Sequence, residues 1–189
     1  MKWSPDLAYA VGLITTDGSL SKDGRHLSLV SKDKDQIQTF AKILNLKNKI
    51  SLHGGTYSPR KEYYRVQFGN VKLYRSLLSI GLMPNKSKQL GPLKIPNKYF
   101  ADFLRGNLDG DGHTYSYWDK RWQSSFMLYL GFASASKPYL EWLVKVIQNL
   151  YQTKGKIKWT GKSTYQLVLQ KQRRSCSSKK CTIIPRFHA

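Results

Sequence analysis

The sequence predicts an α+β fold of two like halves, each an αββαββα unit, packed together through one helix from each half. Three observations carry that prediction. The stretch Ala10-Val11-Gly12-Leu13-Ile14-Thr15-Thr16-Asp17-Gly18 returns as Leu104-Arg105-Gly106-Asn107-Leu108-Asp109-Gly110-Asp111-Gly112. Each copy reads as a mostly apolar helix ending in Asp-Gly, followed by the apolar/polar alternation of half-buried strands. The elements that follow also repeat: Ser31-Lys32-Asp33-Lys34 matches Ser134-Ala135-Ser136-Lys137, and Tyr64 matches Tyr165. The offset is 94 residues at the motif and 101 to 103 afterwards. The difference falls in the second hairpin, where extra loop length costs little. Such duplication implies pseudo-twofold symmetry with the two motif helices at the axis.

The first helix opens at Ser4-Pro5-Asp6 and runs to about Thr16. Ser serves as N-cap, Pro takes the first helical position, and an acid sits in the first turn. A glycine inside a helix costs about 1 kcal/mol relative to alanine. Gly12 and Gly106, at matching places in two apolar helices, therefore predict an approach too close for side chains. From Ser19 to Ser31 the pattern alternates around Lys22-Asp23-Gly24, a hairpin signal, with Leu20, Leu27 and Leu29 facing the core. Asp35 to Leu44 is an amphipathic helix, followed by strands at about Lys49–Leu52 and Tyr63–Phe68 and a short helix from Leu73 to Ile80 stopped by Gly81. The proline-punctuated stretch from Pro84 to Pro96 is the joint, delivering the second motif helix at about Asn97–Asp109. The order then recurs: a hairpin from Thr114 to Ala133, a helix from Pro138 to Tyr151, and strands at Lys156–Trp159 and Thr164–Leu169. The expected division is residues 1–88 for the first half, 89–96 for the linker and 97–189 for the second half. The tail after Gln170 lacks a clear third helix.

With 189 residues, 40% apolar and 13% aromatic, the chain has the makings of a real core. Its net charge of +21, from 32 Lys+Arg against 11 Asp+Glu, points to a polyanionic partner, nucleic acid first. A membrane surface fits less well. No run of eighteen apolar residues occurs, and the basic residues are spread over strands and loops rather than one amphipathic helix. The N-terminus does not read as a signal sequence, so a soluble, intracellular protein is expected. Cys176 and Cys181 lie in the basic tail and read as free thiols, with no His-Cys set at zinc spacing.

Each half offers a four-stranded antiparallel sheet with one apolar face and one polar, basic face. Two such sheets flanking a twofold axis make a saddle for duplex DNA, since strands in the major groove read base edges through alternate side chains. Parity nominates Ser21, Arg25, His26, Ser28, Lys49, Ser51, His53, Arg65 and Gln67 in the first half. In the second it nominates Tyr115, Tyr117, Gln123, Ser125, Tyr129, Lys156, Lys158, Gln166 and Gln170. Arg65 and Gln67 stand out, because Arg suits guanine and Gln suits adenine. Lys86, Lys88, Lys171, Arg173 and Arg174, in joint and tail, suit phosphate contacts.

Motif helices packed side by side would set Asp17 and Asp111 next to each other. Juxtaposed carboxylates repel unless a cation or proton lies between them. With oxygen ligands only, the natural cation is Mg²⁺.

These residues resemble the LAGLIDADG homing endonucleases in their single-chain, two-motif form, the monomeric meganucleases. The first copy keeps Gly12, Leu13, Ile14, Asp17 and Gly18, with Thr15 where the family often has an acid. The second keeps Leu104, Gly106, Asp109, Asp111 and Gly112, with Asn107 and Gly110 as departures. The resemblance implies that Asp17 and Asp111 hold divalent metal against the scissile phosphates, helped by the backbone carbonyls of Thr16 and Gly110. Mg²⁺ is the expected ion, and Mn²⁺ or Ca²⁺ can take the same sites. Asp109 is assigned a structural role and no metal. The resemblance further places Ser31, Lys32, Ser134 and one linker lysine, Lys86 or Lys88, around the metals to order water and steady phosphates. Ala135 stands where Lys32 would repeat, so this shell is asymmetric.

The implied activity is that of a monomeric, intron-encoded hydrolase. It would bind an asymmetric duplex of about 20 base pairs, two helical turns, and cut both strands with 3′ overhangs. A relative that does not cut, binding RNA as a maturase or DNA as a regulator, is the first alternative. A basic interaction protein whose repeat is purely architectural is the second.

Overall fold

Ser4 caps the first helix by accepting a hydrogen bond from the Leu7 amide, and α1 runs Pro5–Thr16. The structure is a computed structural model that describes residues 2–55, 58–118, 126–161 and 163–170. Gln123, Ser125, the tail lysine and arginines (Lys171, Arg173, Arg174) and both cysteines lie outside the described residues. For His53 and Gln170 the strand position alone is described.

After α1 come β1 (Gly18–Leu20), β2 (His26–Ser31), α2 (Lys34–Ile43), β3 (Ser51–Gly55), β4 (Ser58–Gly69) and α3 (Val71–Ser79). A 3₁₀ turn at Asn97–Tyr99 leads into α4 (Phe100–Asp111). The order then repeats with β5 (Gly112–Trp118), β6 (Phe126–Ser134), α5 (Lys137–Tyr151), β7 (Gly155–Trp159) and β8 (Tyr165–Gln170). The two antiparallel sheets share one topology: β1-β2-β4-β3 in sheet one and β5-β6-β8-β7 in sheet two. This is the predicted α+β architecture of two like halves.

Several boundaries differ from expectation for local reasons. Helix α2 starts at Lys34 because Asp33 accepts from the Asp35 and Gln36 amides as N-cap. Asn70 likewise caps α3, through the Leu73 amide, ahead of the apolar run that marked its expected start. Strand β3 begins after Lys49, which is exposed and precedes the ladder. Helix α4 extends two residues past the expected end and takes in Asp111 itself.

The core lies where helices cover the inner faces of both sheets. Leu20, Leu27, Leu29, Val66 and Phe68 of sheet one pack with Ile37 and Phe40 of α2. Phe132, Leu167 and Leu169 of sheet two pack with Leu140, Leu143 and Ile147 of α5. The stretch read as linker is anchored, since Leu90 and Leu93 are buried and the Ser136 hydroxyl donates to the Leu90 carbonyl. Among the described residues, no helix is long and apolar enough to cross a membrane.

Candidate active site and nucleic-acid interface

Helices α1 and α4 pack backbone against backbone. A Cβ on Gly12 would lie 2.3 Å from the Phe103 carbonyl oxygen, and one on Gly106 would lie 2.2 Å from that of Tyr9. Two glycines at equivalent places thus make the close crossing that their placement in apolar helices predicts. The contact repeats one turn later in asymmetric form. Gly110 sits where a Cβ would come within 2.0 Å of Thr16 Oγ1 and 2.9 Å of Asp17 Oδ2. Gly110, a departure from the motif, is therefore the small partner of Thr16 across the axis.

This crossing brings the two acids together. Asp17 caps the C-terminus of α1, its amide donating to the Leu13 carbonyl at 3.0 Å, and Asp111 is the last residue of α4. Burial pushes the Asp17 carboxyl up to about 6, with Asp111 adding to the rise and Lys86 opposing it. Burial also holds Asp111 above the usual carboxylate range, again against Lys86. Asp111 still borders solvent, so the pair can be reached from outside.

Lys86 is the buried cation beside them, only 7% exposed. Its Nζ donates to the carbonyl oxygen of Gly18 at 2.5 Å and to that of Thr16 at 3.4 Å. Burial pulls its pKa down to about 8, against the attraction of Asp111 and Asp17. A cavity of about 70 Å³ opens next to these groups, bordered by Thr16, Lys86, Asn107, Asp111, Ser134 and Tyr139 among others. Its floor is polar and tied down: the Tyr139 hydroxyl donates to Asn107 Oδ1, and Asn107 Nδ2 donates to the Phe103 carbonyl.

The other nominated residues fall at different places. Lys88 is exposed and does not border the cavity. Ser31 and Ser134 end equivalent strands and accept equivalent bonds, from the Asp33 and Ser136 amides, but only Ser134 lines the cavity. Lys32 is exposed and stands over the Tyr63 ring at 5.7 Å. Asp109 accepts from the Tyr9 hydroxyl at 2.9 Å, and its carbonyl accepts from Gln36 Nε2. That anchors it to the helix pair rather than to the acids.

On the outer face of sheet one lie Ser21, His26, Ser28, Arg65 and Gln67, opposite in parity to the buried leucines. Arg65 Nη2 donates to Gln67 Oε1 at 2.8 Å, and Ser51 Oγ reaches the Arg65 carbonyl. Arg25, in the hairpin turn, packs over Gly69. Asp23 accepts from the Arg25 and His26 amides and holds the His26 ring through Nδ1 at 2.5 Å. On sheet two, Tyr115 and Tyr129 stack at 4.6 Å with nearly parallel rings, and Tyr117 stacks on the other tyrosine of that pair, Tyr129. Lys156 and Lys158 are exposed on the edge strand, and Gln166 Nε2 lies 2.6 Å from His113 Nε2. His113 and Val168 were not nominated from sequence. Parity reaches both, because they lie two residues from Tyr115 and from Gln166 on the same faces.

Neither a protein-family model nor a curated protein matches the sequence. Solved structures do match. The homing endonuclease I-WcaI bound to its DNA recognition sequence superposes with a TM-score of 0.62 at 14% identity, over 89% of this chain and 77% of that one. A single-residue variant of I-DmoI in complex with its target DNA in the presence of Mg gives 0.54 at 18% identity, over 87% and 88%. Other I-DmoI complexes hold DNA with Mn or with Ca. Full-length DUF199/WhiA from Thermatoga maritima gives 0.58 at 14% identity over 89% of this chain, which spans 52% of that longer protein. The fold is therefore that of the LAGLIDADG proteins, and DNA-bound homing endonucleases share it.

Proposed function

We propose that this chain is a single-chain, site-specific DNA endonuclease that uses divalent metal and acts as a monomer. One observation carries the reading: Asp17 and Asp111 meet at the ends of a glycine-packed helix pair that joins two strongly basic halves. The donor set fits a hard cation. Two partly buried carboxyls that resist ionising together call for positive charge between them. Among the described residues no group of three or more His, Cys, Asp or Glu gathers to hold a metal ion, so ligands beyond the two carboxyls would be backbone carbonyls, water and phosphate oxygens. Mg²⁺ tolerates a site of one or two carboxylates completed by water and phosphate oxygens, and Mn²⁺ or Ca²⁺ can substitute. When bound, such an ion supplies Lewis acidity to phosphodiester hydrolysis.

The protein's own groups do the rest. Asp17 and Asp111 hold the charge at the axis, with the Thr16 and Gly110 carbonyls beside them. Lys86 rather than Lys88 offsets the paired acids and faces the cavity, where Ser134 borders the space for water. Ser31 and Lys32 occupy the corresponding corner of the first half. Residues 1–88 and 97–189 act as the two DNA-reading halves, joined by 89–96. The outer faces of the sheets straddle about 20 base pairs, one helical turn per half, and both strands are cut with 3′ overhangs.

A second reading, in which the chain binds DNA or RNA without cutting, needs only the strong positive charge and the two open sheets and asks nothing of the acid pair. Selection of cleaved sites from a randomised duplex pool in Mg²⁺ tests both. The proposal expects discrete cleavage at one asymmetric site, whereas tight binding with intact strands favours the second reading.

A further inference from the structure

On the reading that both sheets engage a duplex, we infer that they recognise half-sites of unlike composition. Sheet one reads a half-site containing guanine, and sheet two reads one that is thymine-rich. Strand register shows which positions correspond. Gly18 pairs with Leu29 and Gly112 with Phe132; Leu29 then pairs with Val66, and Phe132 with Leu167. On this match Arg65 of sheet one corresponds to Gln166 of sheet two, Gln67 to Val168, and Ser21 to Tyr115.

The chemistry changes at each of these positions. In sheet one the guanidinium of Arg65 is held by Gln67 Oε1 at 2.8 Å, among serines small enough to admit a groove. A fixed guanidinium fork matches the O6 and N7 acceptors of guanine. In sheet two a carboxamide replaces the guanidinium and an isopropyl group replaces the carboxamide. No arginine occurs in the described strands of that sheet. Its open face instead carries Val168 and the stacked Tyr115, Tyr117 and Tyr129, flanked on the edge strand by Lys156 opposite Val168 and Lys158 opposite Gln166. The flexible ammonium groups of these lysines lack the planar fork and suit backbone phosphates. Apolar groups on a groove-facing strand recognise the C5 methyl of thymine. Tyr115 and Tyr117 each turn a face onto Tyr129.

The test uses the wild-type protein and a duplex taken from binding selection on a randomised pool without metal. Two base analogues are placed in one half-site at a time: 7-deazaguanine for guanine, which removes N7, and deoxyuridine for thymine, which removes the methyl. The inference expects 7-deazaguanine to weaken binding at least about fivefold in one half only, and deoxyuridine to do so only in the other. Arg65→Ala should abolish the first sensitivity, and Tyr115→Ala with Val168→Ala the second. Equal sensitivity of the two halves to both analogues overturns the inference, as does both sensitivities falling in the same half. Those outcomes leave the DNA-binding reading standing. Failure of the wild type to select any duplex overturns both together. The analogue arm needs no variant, so a variant that misfolds leaves the test decisive.

Discussion

Lys86 Nζ lies 2.5 Å from the carbonyl oxygen of Gly18, so a side chain from the joint between the halves is fastened to the end of the first motif helix. The same ammonium reaches the Thr16 carbonyl and offsets two carboxyls. Replacing it removes a buried cation and leaves buried acceptors unmet. Lys86→Met should therefore cost on the order of 2–3 kcal/mol in urea unfolding and abolish cutting. Lys88→Met, at an exposed position, should stay within about 0.5 kcal/mol.

The acid pair should make the metal-free fold less stable as pH rises. Asp17 has a folded pKa of about 6 against an ordinary 3.8, so its contribution to stability is full below about 3.8 and is lost as pH rises through about 6. Asp111 shifts in the same direction. Lys86, drawn down to about 8 from 10.5, has the opposite sense: its contribution is present above 10.5 and lost as pH falls through about 8. Allowing for solvent screening, Asp17→Asn should gain on the order of 1–2 kcal/mol over wild type at neutral pH, and little near pH 4. Denaturant titrations at the two pH values in EDTA measure this. Added Mg²⁺ should then stabilise the wild type more than the variant.

Gly12→Ala sets two effects against each other. Helix propensity favours alanine by about 1 kcal/mol, but the new methyl would meet the Phe103 carbonyl at 2.3 Å. Backbone cannot yield as a flexible side chain can, so the clash wins. Net destabilisation of about 3 kcal/mol is expected, with loss of cutting as the acids separate. Gly106→Ala should behave alike in the same urea assay.

Asp109 and Asp111 lie two residues apart and should part company in function. Asp109 accepts from the Tyr9 hydroxyl, so Tyr9→Phe and Asp109→Asn should each cost about 1 kcal/mol. Both should cut the selected duplex at close to the wild-type rate in a single-turnover assay.

Much of this was legible in the sequence because duplication supplies its own control. A lone Asp-Gly at a helix end is commonplace, whereas Asp17 and Asp111 at matching places, each below an interior glycine, restrict the packing. Alternation likewise separated the buried Leu27, Leu29 and Val66 from Ser28, Arg65 and Gln67. What periodicity cannot carry is which long side chain bends where. Lys86 and Lys88 read alike, yet the turn following α3 buries one and leaves the other in water. Nor did the letters reveal why Gly110 replaces a larger residue, since the reason is Thr16 on the opposite helix. Helix ends shifted where a cap outranked the apolar period, as at Asp33 and Asn70.

If Asp17 and Asp111 form the cleaving centre, strand scission should fail in each single Asn variant. With the selected duplex in Mg²⁺, Asp17→Asn and Asp111→Asn should each lower the single-turnover rate at least about a hundredfold, the scale of losing a charge-stabilising group. Their affinity for uncut duplex should stay within a few-fold of wild type. Undiminished cutting by either variant would mean that the two acids are not the cleaving centre.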